Sequence, residues 1–90
     1  MRKVVDIEST PNPNALKFNL DGVIAEETRS YLRVEQAIGV DPLAEGIFAL
    51  GGVTGVMFCG DFVTVNKEAG VKWPTLRKKI VQLIEEAGAG

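Results

Sequence analysis

Two apolar runs, Val53–Cys59 and Phe62–Lys67, are separated only by Gly60-Asp61. Both runs are rich in β-branched and aromatic residues, which favour extended chain. A glycine at the first position of a two-residue connection fits a type II′ turn, whose twist matches that of the flanking strands. An antiparallel hairpin is therefore the strongest local signal in the chain. Val56-Met57-Phe58, and Val63 and Val65 set among Phe62 and Thr64, predict central strands covered on at least one face.

Other segments supply partners for it. Val4-Val5-Asp6-Ile7-Glu8 reads as a first strand that stops at a proline-punctuated loop. Leu16, Phe18 and Leu20 alternate with Lys17 and Asn19 as a half-buried second strand requires, and Asp21-Gly22 ends it. Thr28 to Val34 is expected as a third strand, with Leu32 and Val34 inward and Arg29, Tyr31 and Arg33 outward; the alternative is a helical turn through Ala25–Arg29. Asp41 suits an N-cap and Pro42 the first helical position. Leu43, Ile47 and Leu50 line one side of that helix, flanked by Ala44 and Phe48, before Gly51-Gly52 stop it. Beyond Gly70 a final helix opens at Lys72-Trp73-Pro74. Trp73, Leu76, Ile80, Leu83, Ile84 and Ala87 form its apolar stripe, and Gly88-Ala89-Gly90 is expected to fray.

The predicted fold class is α+β, a mainly antiparallel sheet with two helices packed on one face, in the order β-β-(β)-α-β-β-α. With 90 residues and no repeats or linkers, residues 1–90 are expected to form a single domain. Ten Lys and Arg against twelve Asp and Glu give a net charge of −2, which argues against general nucleic-acid binding. No segment has the run of about 20 apolar residues that spans a bilayer, and Met1-Arg2-Lys3-Val4-Val5-Asp6 lacks the apolar run of a signal peptide. A single cysteine, Cys59, excludes an internal disulfide framework and fits a reducing, cytoplasmic setting. The chain has no histidine, hence no histidine base and no Ser–His or Cys–His pair. A cap and a turn account for Asp41 and Asp61, and core packing accounts for Trp73, whose indole N–H needs one partner. No catalytic residues are expected.

Four features are candidates for binding. The first is the loop Thr10-Pro11-Asn12-Pro13-Asn14. Its prolines hold Thr10 and Asn12 extended, and Asn12 and Asn14 can close side-chain turns. It reads either as a rigid connection or as a display of Asn12, Asn14 and Lys17 to a partner. The second is Cys59, a weak metal candidate beside the turn that reads more simply as a small hydrophobe. The third is a patch of Arg29, Tyr31 and Arg33 beside Lys17, with Tyr31 as an anchor for an acidic segment. The fourth is the basic run Arg77-Lys78-Lys79. It lies early in its helix with Glu85 and Glu86 late, the reverse of what the helix dipole favours.

The stretch Thr10-Pro11-Asn12-Pro13-Asn14-Ala15-Leu16-Lys17-Phe18 resembles the opening motif of the N-terminal domain of Nfu/NifU-type iron–sulfur scaffold proteins. Asp41-Pro42-Leu43-Ala44 with Ile47-Phe48 resembles that family's central helix. Gly52–Phe58 with Asp61–Lys67 resembles its hairpin, and Trp73 to Ile84 its closing helix. In full-length members the cluster is bound by a separate Cys-x-x-Cys domain, so the resemblance implies the accessory domain standing alone. An iron–sulfur cluster is held by about four thiolates, with histidine as a substitute. No cofactor is therefore expected on this chain alone, and iron or a cluster is expected only through a partner. The resemblance implies a non-enzymatic interaction module that docks iron–sulfur assembly or client proteins. The alternatives are weak iron binding by carboxylates with Cys59, or a general peptide-binding module outside this pathway that adds a strand at an open sheet edge.

Overall fold

In the computed structural model, residues 3–87 are described; Met1-Arg2 and the expected fraying of Gly88-Ala89-Gly90 lie outside them. The elements run β1 (Val4–Ser9), β2 (Ala15–Leu20), β3 (Ala25–Tyr31), α1 (Val34–Ala37), α2 (Pro42–Phe48), β4 (Val53–Gly60), β5 (Phe62–Lys67) and α3 (Trp73–Ala87). The strands make one antiparallel sheet in the order β1-β2-β5-β4-β3. The α+β class is as expected, and the hairpin stands at the sheet's centre.

Registry explains the core. Phe18 pairs with Val63, and Val63 with Phe58; Leu16 pairs with Val65, and Val65 with Val56. These rows share one face, because cross-strand partners point the same way. Phe18, Phe58, Val63 and Val65 are fully buried there beneath Ile47 of α2 and Ile80 and Ile84 of α3. The opposite face carries Lys17, Asn19, Met57, Cys59, Phe62 and Thr64, all half-buried, and no described helix covers it. Gly60 takes φ +55° while Asp61 stays at negative φ, as a type II′ connection requires.

The third strand departs from expectation. It begins at Ala25 and stops at Tyr31, short of the expected Val34, with an irregular register between Ala25 and Arg29. Ala25 and Tyr31, the latter opposite Val56 of the core face, are its buried residues, whereas Leu32 lies beyond the strand and is 70% exposed. The inward facing expected for Leu32 and Val34, and the outward facing expected for Arg29 and Tyr31, are reversed. Val34 instead opens the short α1, where Gln36 Oε1 accepts from Leu32 N at 2.6 Å and Arg33 N at 3.2 Å. The segment Ala25–Arg29 is strand, not helical turn.

The helices start and stop for the predicted reasons. Asp41 Oδ1 accepts from Ala44 N at 3.2 Å, and Pro42 occupies the first helical position. Gly51 and Gly52 follow at φ +87° and +77°. In α3 the stripe holds through Leu76, Ile80 and Ile84, but Ala87 is exposed.

A Cβ on Gly51 would meet nothing within 4 Å, whereas one on Gly52 would fall 2.5 Å from Val71 Cγ2. Gly51→Ala should therefore cost only the left-handed backbone penalty, about 1–2 kcal/mol. Gly52→Ala should cost clearly more, because Val71 must move as well. Urea unfolding of the two variants checks this order.

Candidate functional site

The Thr10–Asn14 loop is fastened from inside. Thr10 Oγ1 lies 2.8 Å from Asn12 O and 3.1 Å from Ala15 O, and accepts from Asn12 N at 3.2 Å. Asn12 Oδ1 accepts from Asn14 N at 2.9 Å, closing the side-chain turn expected there. Asn14 then reaches across the sheet. Its carbonyl accepts from Lys67 N at 2.8 Å, and its Oδ1 from Lys67 Nζ at 3.2 Å.

Lys67 is 7% exposed, and its ammonium also donates to Glu68 O at 3.2 Å. It stands 5.4 Å from the centre of the Trp73 ring. The Trp73 indole in turn donates Nε1–H to Pro13 O at 3.0 Å, so α3's first residue is tied to the same loop. An ammonium this far from water is costly unless its donors are taken. Asn14 is thus committed to holding Lys67, and Asn12 is exposed at the loop's surface. Lys67 went unremarked in the sequence, although its parity with Val63 and Val65 points it inward. Between the loop, Ser9, Leu16 and Trp73 lies a cavity of about 340 Å³.

A second polar cluster joins β3 to α2. Asp41 Oδ2 accepts from Tyr31 Oη–H at 3.1 Å and pairs with Arg29 Nη1 at 3.2 Å. Arg29 lies over the Phe58 ring at 5.3 Å, and Tyr31 meets that ring edge-on with centroids 6.2 Å apart. Asp41 is itself buried, so its role as a helix cap is half of its work. The expected outward patch of Arg29, Tyr31 and Arg33 is not assembled. Tyr31 is buried, Arg29 is turned to the helix face beside Phe58, and Arg33 caps α1 at the surface. Lys17 lies on the other side of the sheet, its Nζ 4.4 Å from the Phe62 ring centre. The cause is the pairing with β4: Arg29 and Tyr31 stand opposite Phe58 and Val56, whose side chains face the helices.

Burial, then the hydrogen bond to Asp41 and that residue's negative charge, push the Tyr31 phenol above its usual value of 10.0, with Arg29 opposing.

Cys59 is half-buried on the open sheet face, opposite Phe62, and its Sγ accepts from Thr28 Oγ1 at 3.3 Å. Among the described residues no three His, Cys, Asp or Glu side chains gather where they could hold a metal. Arg77, Lys78 and Lys79 are exposed on α3, and among the described residues they form no ion pair.

Asn14→Ala should leave the Lys67 ammonium short of an acceptor, for a loss of about 1–3 kcal/mol. A thermal melt should fall by at least about 5 °C. The phenol of Tyr31 favours its neutral form in the fold, so its stabilising share is intact below the unfolded value near 10 and lost as pH climbs through the folded one. Tyr31→Phe should therefore be less sensitive to alkali than the parent when urea midpoints are compared above and below that pH.

The family described as scaffold protein Nfu/NifU N-terminal matches residues 5–89. The chain is 38% identical over 77 residues to NifU-like protein 4, mitochondrial, of Arabidopsis thaliana, covering 84% of this chain and 27% of that protein. It is 33% identical over 82 residues to the NFU1 iron-sulfur cluster scaffold homolog, mitochondrial, of Drosophila erecta, covering 89% of this chain and 29% of that protein. The chain thus spans under a third of the length of these curated relatives. Its fold is similar to the solution NMR structure of the NifU-like protein from Saccharomyces cerevisiae. That likeness has a TM-score of 0.80 and 29% identity, over 94% of this chain and 78% of the other. Since that family's model matches nearly the whole chain, this chain belongs to the Nfu/NifU N-terminal domain family.

Proposed function

We propose that this chain is a non-enzymatic docking module of iron–sulfur cluster assembly or transfer, which positions a cluster-bearing scaffold or client protein. The observation that carries this reading is ligand scarcity. The whole sequence offers one cysteine and no histidine, against the roughly four thiolates a cluster takes. One relative's name supports the pathway, since that protein is called an iron-sulfur cluster scaffold homolog. The cluster is cargo here, held on a partner.

Surfaces for that contact are those the fold does not consume. Arg77 and Lys78, with Lys79, stand exposed early in α3, where they work against the helix dipole. They suit an acidic face of the partner, which steers encounter and makes it salt-dependent. Arg33 and Asn12 are also exposed, and Lys17 is half-buried. Tyr31 and Asn14 are taken up by contacts within the fold, and Arg29, though exposed, is paired with Asp41. The lone thiol is in keeping with a reducing compartment, and we take the cytoplasm as this chain's setting; the relatives' names place those proteins in mitochondria.

The test is binding of a purified, cluster-loaded protein carrying the Cys-x-x-Cys domain, followed by calorimetry at several salt concentrations. Saturable binding is expected, weakened several-fold by Arg77→Glu with Lys78→Glu, with a shallower salt dependence. Anaerobic incubation of the chain alone with ferrous iron and sulfide gives the opposing outcome. A brown protein with about stoichiometric iron and sulfide, lost in Cys59→Ser, would overturn the reading.

A further inference from the structure

β1 is the outermost strand on its side of the sheet. Its neighbour fixes which of its backbone groups face outward. Leu20 N donates to Asp61 O at 2.8 Å, and Asn14 O accepts from Lys67 N at 2.8 Å, so both residues aim their backbone toward β5. Backbone direction alternates along a strand, so Lys17 and Asn19 aim theirs toward β1. Those two face Glu8 and Asp6 across the ladder. Asp6 and Glu8 therefore bond inward, and Ile7 and Ser9 turn their N–H and C=O groups outward. Among the described residues nothing outside the sheet takes those groups. Glu85 covers this edge only at Val4, accepting from its N–H at 3.2 Å.

Side chains at the same edge are sorted by face. Asp6 and Glu8 lie on the open face with their partners Asn19 and Lys17, and both are exposed. Ile7 and Ser9 lie on the helix face with Phe18 and Leu16. Ser9 lines the cavity of about 340 Å³ together with Pro11, Pro13, Leu16 and Trp73. That volume falls within the range of small binding pockets. A strand added outside β1 would alternate in step. Its residues beside Asp6 and Glu8 would meet two carboxylates, and its residue beside Ser9 would meet an apolar hollow.

We propose that the outer edge of β1 binds an extended segment of a partner protein, with Lys or Arg at the alternate positions facing Asp6 and Glu8 and an apolar side chain seated in the cavity beside Ser9. Main-chain bonds to Ile7 and Ser9 supply attraction, and the two faces supply selectivity. A second copy of this chain is a poor occupant. Antiparallel self-pairing about Ile7 sets Asp6 against Glu8 of the other copy, and like charges directly opposite are destabilising. The inference rests on the docking function and names the chemistry of one segment that docks.

The probe is a displayed library of random twelve-residue peptides, selected on the full chain, with the enriched peptide then titrated into isotope-labelled protein. Enrichment of basic residues at every second position is expected, with NMR shifts centred on Val4–Thr10, Leu16 and Trp73. Ser9→Pro removes an outward N–H without touching the β1–β2 ladder, so it should fold and bind at least about tenfold more weakly. If Ser9→Pro melts early, Asp6→Lys with Glu8→Lys decides, and it should switch the selected residues from basic to acidic. No enrichment, apolar residues at helical spacing, unchanged binding by these variants, or self-association lost in Ser9→Pro would each overturn the proposal. Should the cluster-loaded partner still bind through Arg77 and Lys78 in that case, only the β1 inference falls. A cluster built on the chain alone would instead remove the docking function itself.

Discussion

A buried ammonium organises one end of this domain. Lys67 closes β5 at the same parity as Val63 and Val65, so strand alternation drives it inward with them. An unpaired charge there would cost several kcal/mol, and among the described residues only the loop between β1 and β2 supplies a side-chain acceptor, through Asn14. The Trp73 indole, beside the same ammonium, bonds Pro13 and brings the start of α3 to the loop. Loop, central hairpin and closing helix are thereby fixed to one point. The hollow beside Ser9 is lined by this loop and by Trp73.

Asp41 plays the corresponding part at the β3 edge of the sheet. One carboxylate caps α2, receives the Tyr31 hydroxyl and pairs with Arg29, so α2 is seated on β3. Between these two polar ties runs the apolar row of Phe18, Val63 and Phe58. In a domain of this size a single row supplies much of the burial, and the ties restrict how the layers can slip. What remains for function is what neither row nor ties consume: the basic start of α3, the uncovered sheet face and the free edge of β1. Division of labour follows from this. The Thr10–Asn14 loop serves the frame, and the proposed docking uses the periphery.

Most of the frame was legible because its signals are local. The Gly60-Asp61 turn, the Asp41-Pro42 start and the Trp73–Ile84 stripe each depend on residues within a few positions of one another. Residues 25–40 were not legible in the same way. β3 ends at Tyr31, so Leu32 and Val34, the apolar residues that suggested its inward parity, lie outside the strand. Tyr31 and Arg29 were consequently assigned to a surface that they do not share. Their true partner, Asp41, is ten residues from Tyr31, and no propensity reports such a tie. The role of Asn14 was visible only as a choice between connection and display, because its partner Lys67 lies 53 residues away. The ligand count, by contrast, needs no structure at all.

The claim at the centre of this account is that the family motif holds the frame through one coupled contact. A double-mutant cycle of Asn14→Ala with Lys67→Met measures that coupling directly, since methionine keeps much of the apolar stem while removing the charge. The account expects a coupling of about 1 kcal/mol or more between the two sites in urea unfolding. Additivity to within about 0.3 kcal/mol, with both variants folded, would contradict it.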